Sequence, residues 1–208
     1  MDSTFFHWKN YWFCAKKDAL VNKVNPMKVV NTHIPDLKII EPDFFGDDRG
    51  FFFESFNQKK MKELCEIDED FVQDNHSRSS QGVLRGLHYQ MSNPQGKLVR
   101  VVTGEVYDVA VDLRESSATF GQWFGMHLSE QNKRMLFVPA GFAHGFLVLS
   151  KSADFLYKTT SYYDPQSECC IKWDDEDLNI SWPAVIETPI LSNKDLLGKS
   201  FKTAIKFS

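Results

Sequence analysis

Between His76 and Gln90 the chain reads HSRSSQGVLRGLHYQ. Two histidines and two arginines lie there on two short extended runs, separated by the turn-forming Ser79-Ser80-Gln81-Gly82. An imidazole takes up a proton near neutral pH, and a guanidinium holds phosphate oxygens through two parallel hydrogen bonds. Together these chemistries point to proton transfer on an anionic substrate. Alone, the segment leaves a plainer reading open, since surface strands also carry Arg and His.

Further candidates follow at short range. Lys97 and Arg100 come soon after His88, and His144 and Tyr157 could converge in a closed barrel. A neutral imidazole can act as base while an ammonium stabilises a developing oxyanion and a tyrosine on the opposite face supplies a proton. That trio suits carbon-acid chemistry next to a carbonyl. Strand alternation places Arg85 on the side away from His88 unless Gly86 distorts the strand. For phosphate, Arg49, Arg78, Arg85 and Lys97 are the available cations, each by itself readable as a solvated surface charge. Neither a P-loop nor a dinucleotide fingerprint is present in the sequence.

Pro139-Ala140-Gly141-Phe142-Ala143-His144 has the P-x-G-x-x-H shape of the second cupin motif, in which a tight turn presents a histidine into a small β-barrel. The first such motif supplies two histidines one residue apart. Here that place reads His88-Tyr89-Gln90, and Gln is a poor ligand for a transition metal. His76 and His127 are scattered and do not complete the set. The expectation is a cupin-like barrel with no metal.

The elements that must carry these residues read as short strands from Met27 onward. Turn signals stand at 46–50, Gly82, 93–96, Gly104, 139–141 and 164–165. Between Glu105 and Arg114, Tyr107, Val109, Val111 and Leu113 alternate with Val106, Asp108, Ala110 and Asp112, a period of two with distinct environments on the two faces. Stretches 51–56, 99–102 and 145–149 also read as strands. The spacing predicts a mainly β sandwich or barrel. One helix is expected over 58–66 with Asn57 as its cap, and a short second one over 175–178. The tail after Trp182 shows little periodicity.

The chain has 208 residues, 42% hydrophobic and 25% charged, which suits one folded domain. Eighteen Phe favour β packing. A net charge of -4 offers nucleic acid no general attraction. Cys14, Cys65, Cys169 and Cys170 form no C-x-x-C pair and read as free thiols in a reducing compartment, so a cytoplasmic location is expected. No apolar run approaches the length of a membrane helix. Residues 1–26, crowded with Phe5, Phe6, Trp8, Tyr11, Trp12 and Phe13, read as an extension ahead of a single domain over 27–208.

In this order, FGDDRGFFFESFN, FVQDNHSRSSQGVLRGLHYQ, PQGKLVRVVTGEVYDVAVDLR, FGQW, VPAGFAHGFLVLS, FLYKTTSYYDP and LSNKD closely resemble the dTDP-4-dehydrorhamnose 3,5-epimerase family over about Met27 to Leu197. The resemblance implies a cupin-like fold, homodimers that share strands, and no cofactor. It also implies epimerisation at C3 and C5 of a dTDP-linked 4-keto-6-deoxyhexose, on the way to dTDP-L-rhamnose. By position it makes His88 the base, Asp195 its orienting carboxylate, Lys97 the stabiliser of the enolate and Tyr157 the acid. It assigns substrate binding to Arg49, Glu54, Gln73, Asp74, Asn75, Arg85, His144, Glu168 and Lys194, with Tyr163 stacking on thymine. Residues 1–26 match nothing in the family pattern. The alternatives are a single-centre epimerase or ketoisomerase on the same barrel, and a non-catalytic cupin that binds sugar.

Overall fold

The computed structural model describes residues 27–185 and 187–208; the aromatic extension and Cys14 lie outside them. Its first elements are β1 (Lys28–Asn31), β2 (Lys38–Glu41), β3 (Phe44–Asp47), β4 (Gly50–Phe53) and helix α1 (Gln58–Cys65). Then come β5 (Gln73–Ser80), β6 (Leu84–Gln90), β7 (Lys97–Thr103), β8 (Glu105–Asp112) and β9 (Trp123–Ser129). The last are β10 (Met135–Val138), β11 (Phe142–Val148), β12 (Ser152–Thr159), β13 (Glu168–Cys170) and a single-turn helix α2 (Asn193–Leu196).

Two antiparallel sheets result, ordered β1-β2-β10-β7-β12-β5 and β13-β6-β11-β8-β9. Between β5 and β13 the chain changes sheet at nearly every step, so residues close in sequence face one another across the interior. Facing sheets, rather than a closed ring of strands, make up this cupin-like jelly roll among the described residues. The β3–β4 hairpin stands apart as its own two-stranded sheet.

Three apolar layers hold the sheets. Between them pack Val99, Val101, Val106, Ala110, Phe146 and Phe155, with the Phe146 and Phe155 rings stacked 4.1 Å apart. Outside the five-stranded sheet, Val109, Val111 and Leu113 pack on Leu178, Trp182 and Phe207 from the tail. The alternation along β8 thus separates two buried layers, one inside and one under the tail. Outside the six-stranded sheet, Met61 and Cys65 of α1 cover Leu98, Met135 and Phe137. Their spacing of four residues puts both on one helical face. Asn57 caps α1, its side chain accepting from the Lys60 N–H at 3.2 Å, and Glu66 ends it in the left-handed region.

Two expectations are corrected. Residues 175–178 form a turn, not a helix. Buried Asp175 accepts there from the backbone N–H groups of Asp177 and Leu178, and its other oxygen accepts from that of Phe201 at 2.7 Å. An aspartate bonded to nearby backbone in this way competes with helical bonding. The short helix lies later, at α2. The strand expected over 51–56 ends at Phe53, because Glu54 and Asn57 bond to each other at the approach to α1.

Candidate active site

A cavity of about 340 Å³ opens between the sheets. His88 on β6 and His144 on β11 reach it from the five-stranded sheet, and Lys97 on β7 and Tyr157 on β12 from the six-stranded one. The sheet-switching path of the chain therefore sets the imidazoles opposite the ammonium and the phenol.

Arg85 and His88 both line this cavity, although simple alternation would part them. Across the β6–β11 ladder, His144 pairs with His88 and Phe146 with Arg85, so three steps on β6 match two on β11. That extra residue is a bulge, which re-aims side chains. Gly86 sits in it at φ +113°, and a Cβ there would lie 2.6 Å from Gly145 Cα and from the His144 carbonyl oxygen. Only glycine fits so close to the neighbouring backbone.

His88 Nε2 lies 2.6 Å from Asp195 Oδ1, which also accepts from the Gly86 N–H at 3.1 Å. The other Asp195 oxygen accepts from the Ser192 hydroxyl at 2.6 Å, inside the capping box of α2. Burial works to raise the Asp195 carboxyl, but the bonds from His88, Ser192 and Gly86 outweigh it and hold the group far below the usual range. An ionised acceptor assigns the ring proton to Nε2 and leaves Nδ1 with a free lone pair. Burial pushes the His88 imidazole below its ordinary value, against the opposing pull of Asp195. Burial therefore favours the neutral ring.

Lys97 has no ion-pair partner within 4.0 Å among the described residues. Burial brings its ammonium down to about 8, partly opposed by the charges of Glu168 and Asp108. An unpaired cation in such a site is poised for negative charge arriving on a ligand. Tyr157 is raised by burial, with Glu168 adding to the shift, so its phenol stays protonated.

Glu168 organises one rim. Its two oxygens accept from Lys194 Nζ at 2.6 Å and from the Tyr163 hydroxyl at 2.7 Å. Burial favours its neutral form, yet these partners keep it below the ordinary carboxylate value, while the phenol of Tyr163 is raised to about 12. Gln73 bonds Asn75 at 2.9 Å and accepts from the Tyr163 N–H at 3.1 Å. Thus Gln73, Asn75, Arg85, Tyr163, Glu168 and Lys194 line the cavity with His88, His144, Lys97 and Tyr157, and Asp195 bonds to His88.

Arg49, Glu54 and Asp74 do not reach this cavity. Asp74 alternates on β5 with inward Gln73 and Asn75, so it faces out and pairs with Lys158 at 2.7 Å. Arg49 sits at the tip of the β3–β4 hairpin beside Asp47, and Glu54 pairs with Lys60 at 2.8 Å. Gln90, which stands where a second cupin histidine would, clamps loops instead. Its amide nitrogen donates to the carbonyls of Asn93 and Tyr162, and its oxygen accepts from the Asp164 N–H.

Sequence reasoning passed over two supporting residues. Asp108, fully buried, holds His144 Nε2 at 2.9 Å. Its signal was an acid between Val106 and Ala110 on a face that has to be buried. Ser192, which anchors Asp195, is three residues before it, the spacing of a capping box.

Comparison with known proteins identifies the family. The sequence model of the family described as dTDP-4-dehydrorhamnose 3,5-epimerase matches residues 31–203. A protein of that name from Pseudomonas aeruginosa is 59% identical over 178 residues, covering 86% of this chain and 98% of its own length. The crystal structure of dTDP-6-deoxy-D-glucose-3,5-epimerase RmlC from Legionella pneumophila, in complex with dTDP-4-keto-L-rhamnose, superposes with a TM-score of 0.84. It is 56% identical, and the match covers 86% of this chain and 95% of that one. A 3'-monoepimerase from Streptomyces bikiniensis, ChmJ, in complex with dTDP-quinovose, is more distant at 32% identity and a TM-score of 0.78, over 84% of this chain and 88% of that one. With its sequence and its fold in agreement, the chain belongs to the dTDP-4-dehydrorhamnose 3,5-epimerase family.

Proposed function

We propose that this isomerase converts dTDP-4-dehydro-6-deoxy-D-glucose to dTDP-4-dehydro-L-rhamnose by inverting C3 and C5. The ketone at C4 acidifies both neighbouring C–H bonds, so one site serves two centres. His88 Nδ1 takes the proton from carbon, and Asp195 stabilises the imidazolium that forms. Lys97 holds the negative charge that develops on the C4 oxygen. Tyr157 returns a proton from the far face, and no cofactor takes part. The observation that carries this reading is that His88 and Tyr157 project from opposite sheets into one cavity that Lys97 also lines. Inversion demands removal and return of protons on opposite faces.

At the rim, the cations of Arg85 and Lys194 suit a diphosphate, and half-exposed Tyr163 offers a flat face for thymine. Residues 27–208 act as one domain in the cytoplasm, in keeping with the free thiols of Cys65, Cys169 and Cys170. The working form is a homodimer. Phe51 and Phe52 of the detached hairpin are 61% and 70% exposed, an apolar surface that a second copy would cover. In that arrangement Arg49 and Glu54 serve the partner's substrate rather than their own chain's.

The test is deuterium uptake from heavy water into dTDP-4-keto-6-deoxyglucose, read by mass and proton NMR. Exchange at both C3 and C5 is expected. Exchange at one carbon would point to a single-centre relative, and none, despite ligand binding, to a barrel that holds the sugar without transforming it.

A further inference from the structure

Cys170 has no part in the mechanism above, yet it lies against its centre. On β13 it is the ladder partner of His88, and its thiol, the His88 imidazole and an Asp195 carboxylate oxygen all lie within 4.8 Å of one another. All three positions are set by structure that has nothing to do with a metal. The β6–β13 ladder fixes Cys170, and the Gly86 and Ser192 bonds fix Asp195. Among the described residues the thiol has one hydrogen-bond partner, the adjacent Ile171 carbonyl at 3.5 Å. Cys170 also borders a separate opening of about 250 Å³, beside Tyr89, Lys194 and Lys199. A small solute can thus approach the thiol from outside the substrate cavity.

We propose that His88, Cys170 and Asp195 form an inhibitory site for a thiophilic divalent cation such as Zn²⁺. The idea rests on the reading of His88 as the base. Nitrogen, sulfur and carboxylate oxygen are the ligand types zinc takes, and three of them leave a fourth tetrahedral position for water. Ligand atoms around such an ion stand roughly 3.3–3.6 Å apart, given bond lengths of about 2.0–2.3 Å. The His88–Asp195 contact therefore widens from 2.6 Å while the thiol closes in. With Asp195 held by Gly86 and Ser192, the widening takes a tilt of the His88 ring, and the closing takes a rotation of the Cys170 side chain. Magnesium, a hard cation that prefers six oxygens, does not suit the set.

The consequence for catalysis follows from proton bookkeeping. The ion replaces the hydrogen on His88 Nε2, and the neutral ring then carries its proton on Nδ1, the nitrogen that must be bare to accept one from carbon. The thiol loses its proton to solvent, so each ion bound releases one proton. No bond in the substrate and no oxidation state changes. Lys194 lies close enough to repel the ion, and its pairing with Glu168 at 2.6 Å offsets that repulsion. The site is accordingly one that zinc occupies reversibly and a chelator empties.

The experiment uses the full-length enzyme with ZnCl₂, MgCl₂ and CoCl₂, each alone. Zinc is expected to inhibit turnover reversibly, magnesium to leave it unchanged, and cobalt to give a sulfur-to-metal charge-transfer band. Cys170→Ser should keep metal-free turnover, lose the cobalt band and raise the half-inhibitory zinc concentration at least about tenfold. Cys169→Ser should behave as the parent. Inhibition of Cys170→Ser at the parent's zinc concentration, or no cobalt band in the parent, overturns the site. A Cys170-dependent band with undiminished turnover leaves the metal site standing and removes His88 as the base, so the two failures are told apart.

Discussion

At the scale of the residue, the site is governed by two half-buried groups whose charges oppose the usual habit of their types. His88 is driven toward neutrality and Lys97 toward losing its proton near 8. The reaction needs imidazole bare and ammonium charged. The pH profile of kcat/KM is therefore expected to be a bell, with an acid limb below the ordinary histidine value of 6.5 and an alkaline limb near 8. Lys97→Arg, which stays charged throughout, should lower the plateau and remove the alkaline limb; a limb that persists at 8 would take Lys97 out of the profile. Tyr157→Phe should reduce kcat by about 10²–10⁴ with little change in KM, since a proton donor is lost and a ring is kept. Steady-state kinetics on that variant checks it, and unchanged turnover would remove Tyr157 from the mechanism.

At the scale of the element, position is set by a bulge and by switching between sheets. Gly86→Ala should destabilise the protein by more than about 1 kcal/mol, because the new Cβ meets the backbone of β11 and the positive φ disfavours it. Activity should fall further than stability, as His88 lies two residues on. Thermal melting beside activity separates the two effects. The strands and their alternation were readable because a buried sheet demands a period of two. Glycine at 86 was readable as a site of distortion, and the ladder shows what the distortion does. Asp175 misled because an acid followed by Leu178 looks like a capped helix when its long-range bond to Phe201 is out of view. His88, Lys97 and Tyr157 could be matched by position. Their convergence was expected in a closed barrel; the structure brings them together instead between two facing sheets, through the sheet-switching path. Asp108 was missed because its role lies wholly in a contact to His144, 36 residues away.

At the scale of the whole molecule, the proposed pairing of copies turns on the hairpin. Three candidate binding residues, Arg49, Glu54 and Asp74, lie outside the cavity of their own chain, two of them at or beside an apolar hairpin. Phe52→Asp is expected to shift the protein toward monomer in sedimentation and to raise KM for the nucleotide sugar. Its melting temperature should change less than its association, because Phe52 is 70% exposed within one chain. An unaltered sedimentation coefficient would show that this face is not where copies meet.

The carboxylate bonded to His88, the proposed base, belongs to a short helix in the irregular tail, not to either sheet. Catalysis is for that reason a gauge of tail docking. Regions held by few elements open before the body of a domain does. On gradual heating, turnover should vanish at a lower temperature than the one at which the sheets lose their circular dichroism signal. Over the same interval, amide exchange should quicken at Gly86, whose N–H bonds to that carboxylate, before it quickens along β8. Simultaneous loss of both signals would mean the tail and the sheets melt as one.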